Sequence, residues 1–248
     1  RRYRIVLKQC AEAMTHANVV AAAAIEGRLP EVYAENYNYG TWQVESAVGV
    51  DTAYALQDAS TVQRLLTAHD SYLPKPSVNV AKDVAWNRRL IANQITQGVL
   101  LGESIPKIAK RIQDVAGSNR AAAVRLARTS TTAAENAGRV DSYKRAKGLG
   151  INVQQEWVAT LDLRTRSSHR KIDREKVEVG EKFSNGCRYP GDPEAPYAET
   201  CNCRCTLVSV IEGIGTSRGR RRARDPETGQ NDLIKNMTYA EWAGWKKR

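Results

Sequence analysis

The chain reads as an α+β protein: an extended all-helical N-terminal region, then a small α+β domain, then a basic tail with a short terminal helix. Three observations predict this. Apolar residues recur at three- and four-residue spacing through the first half of the 248 residues. β-branched and aromatic runs begin only after Gly150. Basic residues concentrate in 213–248, which holds nine of them against four acids.

The helical elements follow in order. Val6, Cys10, Ala13, Ala17, Val20 and Ala24 form one apolar stripe over residues 2–26, which Gly27 and Pro30 are expected to stop. A second segment, 41–72, carries Val44, Val48, Ala55, Ala59, Val62, Leu65 and Leu66 before Pro74 and Pro76. A third begins near Asp83, an acid suited to a helix N-terminus, and ends at Gly102. Ser104 as cap and Pro106 in the first turn open a fourth, closed by Gly117. Ser118 caps a long last helix that ends at Gly148 and Gly150.

The second half has a different texture. Residues 153–160 read as a strand, 176–179 as an edge strand, 184–199 as loop and 203–211 as a strand. In the tail, five of the seven residues 218–224 are arginine, and flanking glycines suggest a flexible linker. Thr238 and Glu241 fit a capping box, with Met237 and Trp242 as its hydrophobic staple. The expected division is a helical arm over 1–125, an α+β domain over 126–212, and a basic linker with a C-terminal helix over 213–248.

Composition narrows the function. The formal net charge is +11, so an acidic partner is expected, with nucleic acid the default. No run of 18 apolar residues is present, so no membrane-spanning helix and no membrane partner are expected. The apolar stretch 19–25 is too short for a signal peptide, and five cysteines favour a reducing compartment over a disulfide framework. Arg218, Arg220, Arg221, Arg222 and Arg224 are the candidate contacts to DNA, through phosphates and independent of sequence.

Three constellations could carry chemistry. Cys201, Cys203 and Cys205 alternate, so on a strand all three thiols share one face. With Cys187 or His169 they supply the donors of a structural zinc site, although the spacing lacks the paired CxxC of zinc knuckles. Packing of small sulfur side chains under a loop, or a disulfide, are the alternatives. Trp157, Asp162, Arg164, Arg166 and His169 form a second set, compatible with acid–base chemistry on a phosphodiester or with a plain ion-pair network. Arg128, Thr129, Thr131, Glu135, Asn136 and Arg139 lie on the long helix, either as a solvated face or as a polar stripe clasping the following sheet.

The order of these residues resembles a known family. Ala127-Arg128-Thr129, Glu135-Asn136 and Arg139 are followed by Trp157, Ala159, Asp162, Arg164, Arg166 and His169. Then come Phe183, Pro190-Gly191-Asp192-Pro193 and Asn202-Cys203-Arg204-Cys205. The set is similar to the Mu F-like minor head proteins of tailed bacteriophages, over about residues 126–212. The resemblance implies a structural protein of the virion, at the head interior or portal vertex after assembly in the host cytoplasm. Its implied partners are the portal and the capsid and scaffolding proteins, and double-stranded DNA through the tail. It implies no catalytic residue. Arg128, Trp157, Asp162, Arg164, Arg166, His169, Asn202 and Arg204 are family-motif positions. Where many relatives carry a cysteine pair near the Asp and Arg segment, this chain has Ser167, Ser168 and His169. The competing readings are a nuclease or toxin-like enzyme using His169 and Arg166, and a simple DNA-binding protein.

Overall fold

The computed structural model describes residues 2–52, 56–62, 79–214, 220–225 and 228–246. Three long helices open it: α1 (Arg2–Val48), α2 (Val80–Leu100) and α3 (Ile105–Gly148). No helix among the described residues is long and apolar enough to cross a membrane.

Several helix ends differ from the sequence pattern, each for a physical reason. α1 runs through Gly27 and Pro30. A helix-interior proline removes one backbone hydrogen bond and costs about 3 kcal/mol. Burial of Leu29, Ala34 and Val44 along the same helix offsets that cost. The segment from residue 41 is therefore the end of α1, not the start of a second helix. Gly49 stops it in the left-handed conformation (φ 73°), its N–H on the Glu45 carbonyl at 2.8 Å. Ala59 and Val62 fall in a helical turn. Ala55, Leu65, Leu66, Pro74 and Pro76 lie outside the described residues.

Asn79 caps α2, its side chain accepting from the Lys82 N–H at 3.0 Å, and Asp83 lies in the first turn as expected. Gly102 (φ 64°) ends that helix as expected. Neither Gly117 nor Ser118 interrupts α3. The Ser118 hydroxyl donates to the Asp114 carbonyl at 3.1 Å, a bond inside a helix rather than a cap. α3 closes around Gly150 (φ 86°), with the Ile151 N–H on the Ala146 carbonyl at 3.1 Å.

The chain forms two compact units whose limits differ from the linear division. One takes Arg1–Arg28 and Lys75–Ala127, the other Leu29–Pro74 and Arg128–Arg248. In the first, Leu7, Ala11 and Ile91 form a small core. Asn87 donates to Thr15 at 3.0 Å beside it, and Arg111 grips Glu103 through two bonds of 2.7 and 2.8 Å. In the second, the latter parts of α1 and α3 approach closely. A Cβ on Gly138 would collide with the Tyr33 carbonyl, and one on Gly40 with the Ser142 hydroxyl. Tyr33 donates to Asp141 at 2.6 Å and Arg139 to Asn36 at 3.0 Å across the same contact.

A three-stranded antiparallel sheet follows, in the order β2–β1–β3: β1 (Val153–Val158), β2 (Lys176–Glu178) and β3 (Thr206–Ile211). β1 is central, pairing Gln155 with Val177 on one side and with Ser209 on the other. Two short helices, α4 (Ser167–Lys171) and α5 (Tyr197–Thr200), lie in the connections. The third strand starts at Thr206, so Cys201, Cys203 and Cys205 precede it and do not share a strand face.

The described part of the arginine run is no linker. Arg220–Arg224 is β4, paired antiparallel with β5 (Asn231–Lys235). Arg221 and Ala223 turn inward, and Arg220, Arg222 and Arg224 outward. Arg218 lies outside the described residues. The terminal helix α6 (Tyr239–Lys246) carries the expected capping box, with Thr238 N–H on Glu241 Oε2 at 2.6 Å and Glu241 N–H on Thr238 Oγ1 at 3.2 Å. Its Tyr239 and Trp242 join Leu161 and Ala223 in a core that Met237 flanks.

The glycines of α3 give a paired test. Gly138→Ala overpacks the contact with α1 and should cost about 1–3 kcal/mol. At Gly117 a Cβ would meet nothing within 4 Å, so Gly117→Ala should gain about 0.5–1 kcal/mol. Urea midpoints of the two variants should move in opposite directions.

Candidate functional site

The site is built where α3, α4 and the segment entering β3 meet. Residues 202–205 have no strand neighbour, so their backbone groups need other partners. One stripe of α3 supplies them. Thr129 accepts the Asn202 N–H at 3.0 Å, and Thr132 donates to the Cys203 carbonyl at 2.9 Å. Asn136 accepts the Leu207 N–H at 3.0 Å, and Arg139 reaches Thr206 Oγ1 at 2.8 Å and the Leu207 carbonyl at 2.9 Å. The helix thus clasps the sheet, but through Thr132, not Thr131. The spacing 129, 132, 136, 139 was the available signal. Asn202 takes a left-handed conformation (φ 53°), one that asparagine tolerates, where the chain turns into the cluster.

His169, Cys203 and Cys205 converge behind this clasp. All three are buried, and their ligand atoms lie within 4.8 Å of one another. Nδ1 of His169 is 3.7 Å from Cys203 Sγ and 3.4 Å from Cys205 Sγ. The other ring nitrogen lies 3.0 Å from Glu199 Oε2, without the alignment of a hydrogen bond. Ser168 holds that carboxylate at 2.9 Å. Trp157 walls the cluster, its ring edge-on to His169 at 5.1 Å between centroids, and Phe183 packs edge-on against Trp157. A hydrogen bond from the Cys203 thiol makes Cys205 the more acidic of the pair, helped by His169 and the Thr160 N–H. The same bond, with burial, pushes Cys203 up.

The other candidates divide around this centre. Cys201 is half-buried at the end of α5 and outside the three-residue donor group. Cys187 is also outside it, a buried thiol pushed up to about 12 by burial and the nearby Asp192 and Glu199 charges. Arg166 donates to the Glu199 and Cys201 carbonyls, fixing the loop that carries both residues. His169 is 1% exposed, and Arg166 is engaged by backbone carbonyls. Arg128 and Arg164 are exposed.

Three buried carboxylates fix the surrounding loops. Asp162 binds Arg204 through both oxygens and also accepts from Thr165 and the Arg164 N–H. Asp192, in the Pro-Gly-Asp-Pro turn, grips Arg188 at 2.8 and 3.0 Å. Gly191 (φ 85°) precedes it, where a Cβ would press on the Ala133 backbone of α3. Asp173 binds Arg221 at 2.7 Å and accepts the Ala159 and Tyr239 N–H groups. Arg221 also donates to the Ala159 and Met237 carbonyls. That corrects its expected role: its charge is neutralised inside the protein. Glu199, Thr132 and Asp173 carry the site without having stood out in the sequence. Their partners His169, Cys203 and Arg221 lie 30 to 71 residues away, and no local spacing reports them.

Comparison with known proteins decides the family. Residues 89–208 match the family described as Phage Mu protein F like protein. The minor head protein GP7 of Bacillus phage SPP1 is 33% identical over 220 residues, covering 87% of this chain and 69% of that protein. This chain belongs to the Mu F-like family. A protein named NAD(+)--arginine ADP-ribosyltransferase EFV, from Enterococcus faecalis, is 28% identical over 84% of this chain, which spans 42% of that longer protein. The uncharacterized protein YqbB of Bacillus subtilis is 24% identical over 66% of this chain and 57% of its own length. No solved structure matches. Asp162, Asn202 and Arg204 take part in hydrogen bonds that hold loops, and Trp157 packs in the wall of the cluster.

These bonds have a pH signature. Burial pushes the Asp162 carboxyl up, but the Arg204 hydrogen bond and charge outweigh it and hold its pKa below the usual value. Asp192 is held low likewise, by Arg188. A depressed carboxylate adds stability above its unfolded pKa, lost as pH falls through the folded one. Stability should therefore decline below about pH 4. Asp162→Asn should flatten that acid slope and cost about 2–3 kcal/mol at neutral pH, read from denaturant melts across pH.

Proposed function

We propose that this phage head protein acts as a minor component docked on the portal or inner capsid during procapsid assembly, with a basic ribbon against packaged DNA. Similarity to the SPP1 minor head protein across 87% of the chain carries the reading. An exposed apolar tip supports docking. Val99, Leu100, Leu101 and Ile105, at the turn between α2 and α3, are 64–80% exposed, beyond what a free surface normally shows at one spot. The site chemistry adds nothing that a head component would not use: its bonds hold loops.

The ribbon supports the DNA contact in a narrower form than the sequence suggests. Arg220, Arg222 and Arg224 share the outer face of β4, and Lys235 stands directly opposite Arg220. Like charges facing each other across a strand pair destabilise it, and a phosphate track would relieve the repulsion.

Co-expression with the portal and major capsid protein tests the docking. The Leu100→Asp, Leu101→Asp double variant should melt as the parent does yet enter heads at least about tenfold less, since polar replacement removes the apolar contact. Normal incorporation would place docking elsewhere. Salt titration against duplex DNA tests the ribbon. Replacing Arg220, Arg222 and Arg224 with alanine should reduce the slope of log affinity on log salt by about 2–3. Arg221→Ala should instead lower stability and leave the slope nearly unchanged.

A further inference from the structure

Two thiols converge on one ring nitrogen of His169. An imidazole Nδ1 offers one in-plane position, either a lone pair or an N–H. Here two sulfurs approach it, at 3.4 and 3.7 Å. A tetrahedral zinc ion, about 2.3 Å from sulfur and about 2.05 Å from nitrogen, holds those atoms about 3.5–3.6 Å apart. The observed separations bracket that edge length. A metal ion bound to all three donors satisfies both thiols and the ring at once.

The surroundings match such an ion. A ligating histidine usually carries a carboxylate on its other nitrogen, which orients the ring and fixes the tautomer. Glu199 lies 3.0 Å from His169 Nε2 and is itself held by Ser168. Two thiolates and a neutral imidazole form a soft donor set that selects zinc over oxygen-seeking cations.

We propose that His169 Nδ1, Cys203 Sγ and Cys205 Sγ bind one zinc ion that clips α4 to the segment entering β3. No further His, Cys, Asp or Glu among the described residues joins this group, so solvent takes the fourth corner. Cys201, the remaining cysteine of the alternating run, is not a ligand. Glu199 is a positioning residue.

The full-length chain, reduced and stripped of metal, can be titrated with cobalt(II). One equivalent should bind with an intense thiolate-to-cobalt band and tetrahedral visible bands, both abolished by added zinc. Cys201→Ser should keep the spectrum and stoichiometry, and Cys203→Ser and Cys205→Ser should lose them. Glu199→Gln should still bind one equivalent, about 10–100-fold more weakly. Absence of a thiolate band in the parent protein, which requires no variant to fold, would overturn the site. So would full retention in Cys203→Ser, or loss of the metal in Cys201→Ser. Unchanged affinity in Glu199→Gln would remove Glu199 from its role.

Discussion

A stripe of hydrogen-bonding side chains on α3 does for residues 202–207 what a neighbouring strand would otherwise do. Thr129, Thr132, Asn136 and Arg139 bond successive backbone groups of that segment. Without them, the carbonyl of Cys203 and the N–H of Leu207 would be left unpaired in a packed interior, at a cost of about 1–3 kcal/mol per unpaired group. The clasp fixes where β3 starts, and hence the register of the sheet. It also brings Cys203 and Cys205 under α4, where His169 is waiting. Gly191 extends the same logic: the Pro-Gly-Asp-Pro turn lies against the backbone of α3 because no side chain intervenes.

Around this helix the molecule repeats one device, a buried aspartate that anchors an arginine, distant in sequence for Asp162 and Asp173 and four residues away for Asp192. Asp162 holds Arg204, Asp173 holds Arg221, and Asp192 holds Arg188. Each aspartate also accepts backbone N–H groups, so one carboxylate fixes both a side chain and the turn that carries it. Such sites are costly to break, because removing one partner strands the other. The Asp173 anchor ties the β4–β5 ribbon and α6 to the sheet domain, which leaves alternate arginines facing out in a fixed row rather than on a loose chain.

The sequence made the fold class, the places of the first three strands and the capping box of α6 legible, because local pattern dictates them. Helix ends were less legible. Gly27, Pro30 and Gly117 look like stops by propensity, but packing along α1 and α3 overrides a cost of about 1–3 kcal/mol at each. The alternating cysteines suggested a strand, yet Asn202 adopts a left-handed turn and Arg204 swings out to Asp162, so only two of the three thiols reach the histidine. Arg221 was indistinguishable from its neighbours in a run of arginines. Its acid lies 48 residues earlier, and only the register of β4 decides which arginines face inward.

Side-chain bonds buried around α3 tie the turns of the domain into one knot. Amide hydrogen exchange reads that knot most directly. Asn202 is an exposed residue in no strand, and its N–H has the Thr129 hydroxyl as its partner. If the clasp organises the domain, that amide should exchange as slowly as those of central β1, to within about tenfold, because both open only when the domain unfolds. Exchange of Asn202 at the rate of an open loop, with β1 still protected, would contradict the clasp as the constraint on which the rest depends.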